Sequence, residues 1–586
     1  MIMSTDRLLS EFPSVSTQQW ERLIREDLKG ADDGKKLNWC PEEGLVLKPY
    51  YRAEDLTGLR HLAAKPDHSP EACDACSASA WRIREDICAS DPKEANRQAR
   101  AAVAAGTEEI AFREPTVRGA SDLDLLFAHL DRVPVHFERV DRFALQLLAE
   151  CLRRPGREAA VSTGFDPFAD LDLCAEIVAS RPPVLVPFEI HAGQFQEQGA
   201  TAVEEVGFTL AAAVDFIAAM EERTACIDRI VDSLGFSFAI GPDFFIQIAK
   251  FRAFRLVFAQ AVASFGALSK SARTHIHARS PRWNRTIYDP HTNILRATTE
   301  VISAAFGGAD SISVAPFDES FREPDELSRR LARNTQIILK QEAFLAQVAD
   351  PGGGSYCLEA ITDLIARQAW ELMRKIESEG GYQSPAAKAF IAAELSQRAQ
   401  ERERAIACRK RVLTGTNRFA DASEKALDRI LCADPDGAAQ DTHAFERLRL
   451  QTERHALRAG RMPRILLAEF GEDRKTCTSR SQFVADFLAC AGFVSDVAQF
   501  HNASEIAASG FDLIVLCSSD ADSLTIASSL MAELNALRKA TPVLVAGHPE
   551  TADRLKAAGI AEFIHLRSNA VEVLARVGHL LGIEDQ

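Results

Sequence analysis

No stretch of this sequence reaches the roughly 18 uncharged apolar residues that a bilayer-spanning helix needs, so a helical membrane span is not expected. Positive charge is in deficit: 68 Lys and Arg stand against 84 Asp and Glu, for a formal net charge of −16. A general nucleic-acid surface would need a basic footprint to displace counterions from phosphates, so that class is excluded, while local basic patches can still hold an anionic ligand. The opening residues "MIMSTDRLLSEFPS" lack a basic segment followed by a continuous apolar core, which argues against a secretory signal and for a cytoplasmic protein. The thirteen cysteines are scattered and odd in number, a pattern of reduced thiols rather than of a disulfide framework. One close pair occurs, Cys73 and Cys76, but it has neither a second pair nor a thioredoxin-like strand beside it, so no metal or redox site is assigned there.

At 586 residues, 46% hydrophobic and 26% charged, the chain has globular composition and is too long for one ordinary core. Strand-like runs recur at 109–113, 133–138, 159–163, 183–190, 235–240, 274–278 and 311–315. Stretches of helical spacing separate them, such as 202–222, and this alternation implies a parallel sheet. A weaker run at 344–351 brings the count to eight, which favours a (β/α)8 TIM barrel. Residues 357–415 read as charged helix and 432–464 as a polar connector. Five further short βα units close the chain and fit a flavodoxin-like domain, whose ligand is expected at the ends of strands one, three and four. The first of those ends carries "EFGEDRKTCTSR" (469–480), a loop with no Gly-rich fingerprint and no histidine.

Three long motifs carry a resemblance. "RTHIHARSPRWNRTIYDPHTNILRATTEVISAAFGGADSISVAPFDE" (273–319), "LARNTQIILKQE" (331–342) and "VADPGGGSY" (348–356), together with "WRIRED" (81–86), resemble the adenosylcobalamin-dependent methylmalonyl-CoA mutases over nearly the whole chain. The resemblance implies an arm at 1–80, a TIM-barrel acyl-CoA mutase-type domain with a helical extension at 81–430, a linker at 431–462 and a flavodoxin-like (Rossmann-like) cobalamin-binding-type domain at 463–586. In active members the acyl-CoA lies along the barrel axis. There the cofactor's cobalt–carbon bond breaks homolytically, and a substrate radical rearranges between methylmalonyl-CoA and succinyl-CoA. The cofactor carries the hard chemistry while the protein positions it.

Against that pattern the sequence departs at three places. Active relatives show D-x-H-x-x-G in the loop, the histidine binding cobalt and the aspartate orienting it. Aligned from the strand, those two positions fall on Asp473 and Lys475; aligned from the helix, they fall on Lys475 and Cys477, with the glycine on Arg480. An ammonium has no lone pair for cobalt, and Cys477 reads as an ordinary loop residue. The family's preceding lysine falls on Glu469, its S-x-L on Cys517–Ser519, and only Gly547 is left of a Gly-Gly pair, beside His548, itself read as a turn residue. In the barrel, Trp81 and Arg84 are kept but the tyrosine that wedges against the cofactor is Asp86, read here as a solvated carboxylate with no corrin against it. In "HAGQFQEQGA" the catalytic histidine falls on Gln194 and its neighbouring tyrosine on Gly193, and a substrate-contacting glutamine region is altered near Gly164. Glutamine can donate a hydrogen bond but is no acid near neutral pH.

Losses at cofactor ligand, wedge and catalytic histidine all concern one reaction. They resemble the small subunit of heterodimeric mutases, a structural partner of a homologous catalytic large subunit. On this reading no catalytic or cofactor position is intact, adenosylcobalamin resides on the partner, no metal is bound, and acyl-CoA is met through the complex. Arg84, His277 and Trp283 match positions around the substrate channel and survive either for it or for packing. His275 and His277 share a strand face but lack a third ligand, so packing is expected, and "DPGGGS" reads as a tight turn rather than a phosphate cradle. An autonomous mutase on another acyl-CoA, or a non-catalytic acyl-CoA-binding module, are the alternatives.

Overall fold

The computed structural model describes residues 15–29, 33–63, 81–154, 157–224, 226–267, 275–430 and 444–583. Cys73 and Cys76 lie outside them.

Eight parallel strands close into a barrel: β1 (Arg82–Ile87), β2 (Glu109–Phe112), β3 (Val135–Phe137), β4 (Val161–Phe165), β5 (Leu185–His191), β6 (Leu234–Ala239), β7 (His275–Arg279) and β8 (Ser311–Ser313). Each pairs with its successor, and β8 returns to β1 through Arg82↔Ser311 and Arg84↔Ser313. Side chains alternate across a strand. One set, including Ile87, Ile110, Phe112, Val135, Phe137, Phe188, Phe236, Phe238, Ile276 and Ile312, is buried in a continuous apolar layer. The other set is polar: Arg84 and Asp86, Glu109, His136, Ser162, Glu189, Ser237, His277 and Ser311. Barrels of this class ordinarily fill that inner space with branched aliphatic side chains; here charge fills it.

This inversion explains one correction. The run at 344–351 is no strand; it holds a single 3-10 turn, Leu345–Gln347, and the barrel closes instead through "RIREDI" at 82–87. A strand whose inward residues are Arg82, Arg84 and Asp86 shows no apolar alternation to read. The connector also differs: residues 444–459, within it, are a helix that buries Phe445, Glu446, Arg449, Leu450, Thr452 and Glu453.

Beyond it lies a second parallel sheet, β9 (Ile465–Glu469), β10 (Ser495–Gln499), β11 (Leu513–Cys517), β12 (Val543–Ala546) and β13 (Glu562–Ile564), in the order β10-β9-β11-β12-β13. That is the 2-1-3-4-5 order of Rossmann-like, flavodoxin-type sheets, with its switch point between β9 and β11. Every residue of β9, β11 and β12 is buried, as expected for strands covered on both faces. The helix at 444–459 joins this half to the barrel: Glu446 accepts the Ile287 amide at 2.7 Å, Glu453 accepts the Tyr288 hydroxyl at 2.5 Å, and the Arg449 guanidinium lies 3.7 Å from the Tyr288 ring centroid. Among the described residues no helix is long and apolar enough to cross a membrane.

Candidate functional site

At the carboxyl ends of the barrel strands, where this fold places its active sites, lies a cavity of about 410 Å³ lined by Arg84, Asp86, Glu138, His191, Gln194 and Arg279, among others. Its floor is a chain of ion pairs. Arg84 donates from Nε to Glu109 at 2.7 Å, and Arg82 stands 2.8 Å from the second carboxylate oxygen. Burial would raise the Glu109 pKa, but the Arg84 and Arg82 guanidiniums hold its carboxyl well below the usual range. His136 and His277 flank the pair, their Nδ1 atoms each 2.9 Å from a serine hydroxyl, Ser162 and Ser311. Burial and the Arg84 charge keep both imidazoles neutral, His136 at about 4 and His277 well below its ordinary value.

Above them His191 is the opposite case. Its Nδ1 lies 3.0 Å from Glu189 and its Nε2 3.0 Å from the Gly164 carbonyl, so both nitrogens donate and the ring is an imidazolium. Burial opposes this, but the Glu189 carboxylate overcomes it and raises the pKa to about 9. With both N–H groups engaged, His191 is no general base.

Across the mouth four side chains form a closed ring. Arg113 meets Asp86 at 3.2 Å and Glu138 at 3.1 Å; Arg279 meets Glu138 at 3.1 Å and also pairs with Asp86. Burial and then the Asp86 charge push Glu138 up to about 7. Asp86 is therefore no solvated carboxylate: with its side chain 21% exposed, it is a doubly paired member of this ring. A carboxylate brought out of water is tolerable when so paired, so the substitution gives the cavity an ion-paired wall.

Gln194 sits exposed on the short helix Gly193–Glu197 at the rim, and Gly193 packs against the Ala239 backbone, where an added Cβ would come within 3.1 Å. His277 and Arg84 are brought together on the axis, His275 pairs with Arg82 at 2.7 Å, and Trp283 is placed elsewhere, its ring between the Arg402 and Arg411 guanidiniums at 4.6 and 4.7 Å. Sequence reasoning missed His136, Glu138, Glu189, His191, Arg113 and Arg279. The signal was available: each lies one residue past a strand run or at an inward alternate position, as a charge where an aliphatic residue is the rule.

At the second sheet, the loop after β9 is short because Asp473 caps the helix Arg474–Ala489, its carboxylate taking the Thr476 amide at 3.2 Å and the Thr476 hydroxyl at 2.6 Å. Lys475 is exposed in the first turn. Cys477 is buried, its thiol 3.3 Å from the Phe470 carbonyl, and burial raises its pKa, so it is held as a thiol. Glu469 is buried and takes the Ser481 hydroxyl at 2.6 Å. Arg480 fills the crevice itself: it donates to the Ser518 carbonyl at 2.5 Å and to Asp520 at 2.7 Å, and its guanidinium lies 3.1 Å from where a Cβ on Gly547 would sit. His548 contacts His565, ring centroids 5.1 Å apart. Among the described residues no three His, Cys, Asp or Glu converge as metal ligands. A corrinoid's lower face would find no imidazole on the loop after β9, and its nucleotide tail would meet Arg480; these residues do not fit that group.

A closed (β/α)8 barrel followed by a flavodoxin-type domain, its mouth and crevice both lined by polar residues, defines a two-domain α/β protein. The methylmalonyl-CoA mutase family model matches residues 169–462. The methylmalonyl-CoA mutase small subunit of Porphyromonas gingivalis is 31% identical over 627 aligned positions, covering all of both chains, and that of Streptomyces virginiae is 29% identical over 98% of each. The Streptomyces virginiae large subunit is 26% identical, over 75% of this chain and 66% of that one. The chain belongs to the methylmalonyl-CoA mutase family.

Proposed function

We propose that this chain is the non-catalytic small subunit of an adenosylcobalamin-dependent methylmalonyl-CoA mutase, a cytoplasmic structural partner of a homologous large subunit. Adenosylcobalamin and the acyl-CoA rearrangement belong to that partner, and the isolated chain is inactive. The barrel domain at 81–430 and the degenerate cobalamin-type domain at 463–586 persist as scaffold, joined through 431–462, with the arm at 1–80 ahead of them. Naming of full-length relatives as small subunits supports the reading.

The observation that carries it is the ring Asp86–Arg113–Glu138–Arg279. Three departures from the active pattern are tied into internal pairs, Asp86 in the ring, Glu469 on Ser481 and Arg480 across the crevice, while Gln194 and Lys475 are exposed. At the second sheet the chain's own Arg480 crosses the crevice, and at the barrel mouth the cavity is lined by ion-paired charges where active members place a tyrosine. Active members need a histidine at the loop and a tyrosine at the mouth; this chain offers Lys475 or Cys477 and Asp86.

The test is coexpression with a homologue that retains D-x-H-x-x-G. The reading expects a one-to-one complex with methylmalonyl-CoA mutase activity and no turnover by this chain alone. Isomerisation by the purified single chain would overturn it.

A further inference from the structure

Away from the mouth, five segments distant in sequence meet at one small cavity of about 20 Å³. They bring Glu43 from the N-terminal arm, Gln196 from the helix at 193–197, Gln247 from the helix Phe244–Ser264, Trp283 from the loop after β7, and Arg402 from the helix Pro385–Ala407. Each of these side chains has a buried polar atom without a hydrogen-bond partner in the chain: Glu43 Oε2, Gln196 Oε1, Gln247 Oε1, Trp283 Nε1 and Arg402 Nε. Buried polar groups are overwhelmingly satisfied in folded proteins, so five such atoms around one cavity point to an occupant.

Donor and acceptor arithmetic identifies it. Two atoms, on Trp283 and Arg402, are N–H donors only, and two, on the glutamines, are acceptors as placed. A bare cation would face the two N–H groups; an anion would face the oxygens. Water serves both kinds, and the cavity exceeds the ~10–15 Å³ that one water needs. If the Glu43 carboxyl is ionised, three acceptors compete for the two hydrogens of a single water. If it is protonated, its O–H donates to a glutamine oxygen, the water's two lone pairs serve Trp283 and Arg402, and no acceptor is left over.

We propose that this cavity binds one water and one proton, the water accepting from Trp283 and Arg402 and the proton residing on Glu43, and that together they fasten the N-terminal arm to the barrel. The surroundings agree. Burial, and then the Asp243 carboxylate, raise the Glu43 pKa to about 7, with Glu42 adding to the rise and the Glu43 and Ala202 backbone amides opposing it. The nearby cations are already committed: Arg411 to Glu42 and Asp243, and Lys250 to Glu205 at 2.7 Å. Arg402 donates to the Gln196 carbonyl at 3.2 Å. The arm residues beside the clasp, Leu45 and Leu47, are buried, and Trp39 and Leu47 exchange backbone hydrogen bonds at 2.9 Å, so release of Glu43 would release a folded segment. Trp283, kept at a substrate-channel position of the family, serves here as a fastener. None of this depends on the subunit reading.

The sign follows from the raised carboxyl: the docked arm holds a proton that the free arm gives up, so docking weakens as pH rises from about 4.5 through about 7. Hydrogen exchange of residues 38–47 in the full chain reads this directly. After correction for intrinsic exchange, protection should fall between pH 5 and 7 by up to about tenfold per pH unit, the limit for one linked proton. Glu43→Gln, which keeps a donor in place of the acid, should retain the protection and lose its pH dependence. A high-resolution crystal structure should place one water between Trp283 and Arg402. Equal protection at both pH values in the unmodified chain, an undiminished pH response in Glu43→Gln, or an ion at that position would overturn the proposal.

Discussion

Replacing Arg84 by methionine tests whether ion pairing holds the barrel axis. Arg84 and Glu109 have side chains only 2% and 3% exposed, and the Nε contact is 2.7 Å. Methionine keeps an apolar stem and removes the guanidinium. Glu109 is then left with Arg82 alone, whose side chain is 35% exposed and therefore screened by water. Breaking a buried pair from one side costs about 3–5 kcal/mol because the remaining charge stays buried. Arg82 offsets part of that, so a loss of about 3 kcal/mol is expected, at the lower end of the range. At ~2.1 cal/mol/K of unfolding entropy per residue, a barrel domain of about 350 residues shifts by ~1.4 °C per kcal/mol, so its transition should fall by about 4 °C. Scanning calorimetry of Arg84→Met, Glu109→Leu and the double variant gives the full cycle. The double variant should recover most of the loss, because a buried ion pair replaced by apolar residues is often neutral. The His136 imidazole should also rise from about 4, since the Arg84 charge is, after burial, the largest cause that depresses it. A single-variant loss below about 1 kcal/mol, or a double variant as unstable as the sum of the singles, would refute the reasoning.

Further outcomes follow from the same geometry. Lys250→Met strands the fully buried Glu205 carboxylate, with which Lys250 makes a 2.7 Å contact, and should cost about 3–5 kcal/mol by denaturant titration, most of it restored by adding Glu205→Leu. Tyr288→Phe removes the 2.5 Å bond to Glu453 that ties the barrel to the helix at 444–459, and about 1.5–3 kcal/mol of stability is expected to go with it. For the mouth ring, Glu138 is raised above its unfolded value to about 7, so the folded chain holds an extra proton between about 4.5 and 7 and loses stability as pH rises through that window. The ceiling is about 3 kcal/mol, and Glu138→Gln should reduce the slope measured by thermal unfolding from pH 5 to 8, leaving the part that Glu43 contributes over the same window.

The outward half of each barrel strand was legible in the sequence because it is apolar: Ile110 and Phe112, Val135 and Phe137, Phe236 and Phe238 mark their strands without help. β1 was not, since its inward residues Arg82, Arg84 and Asp86 are charged and its partners are set by closure of the barrel, a contact spanning more than 200 residues that no local pattern carries. A spurious strand at 344–351 filled the count in its place. The second sheet was readable throughout, each buried strand being a short continuous apolar run. At the site, substitutions at Asp86, Gln194, Lys475 and Cys477 could be seen one at a time, but their consequences could not. That Asp86 closes a ring with Arg113, Glu138 and Arg279 depends on strands β1, β2, β3 and β7 meeting at one mouth. Arg480 is likewise only a missing glycine until its guanidinium is seen across the ends of β11 and β12.

The central claim is that this chain has no cofactor site of its own, Arg480 crossing its crevice and ion pairs ringing its barrel mouth. Equilibrium titration of the purified chain with adenosylcobalamin, repeated on its complex with the large subunit, tests it most directly. The account predicts no saturable binding to the chain alone and one cofactor per heterodimer. Stoichiometric binding to the isolated chain would contradict it, and would require Arg480 to leave the crevice and a side chain such as Cys477 or His548 to take the histidine's place.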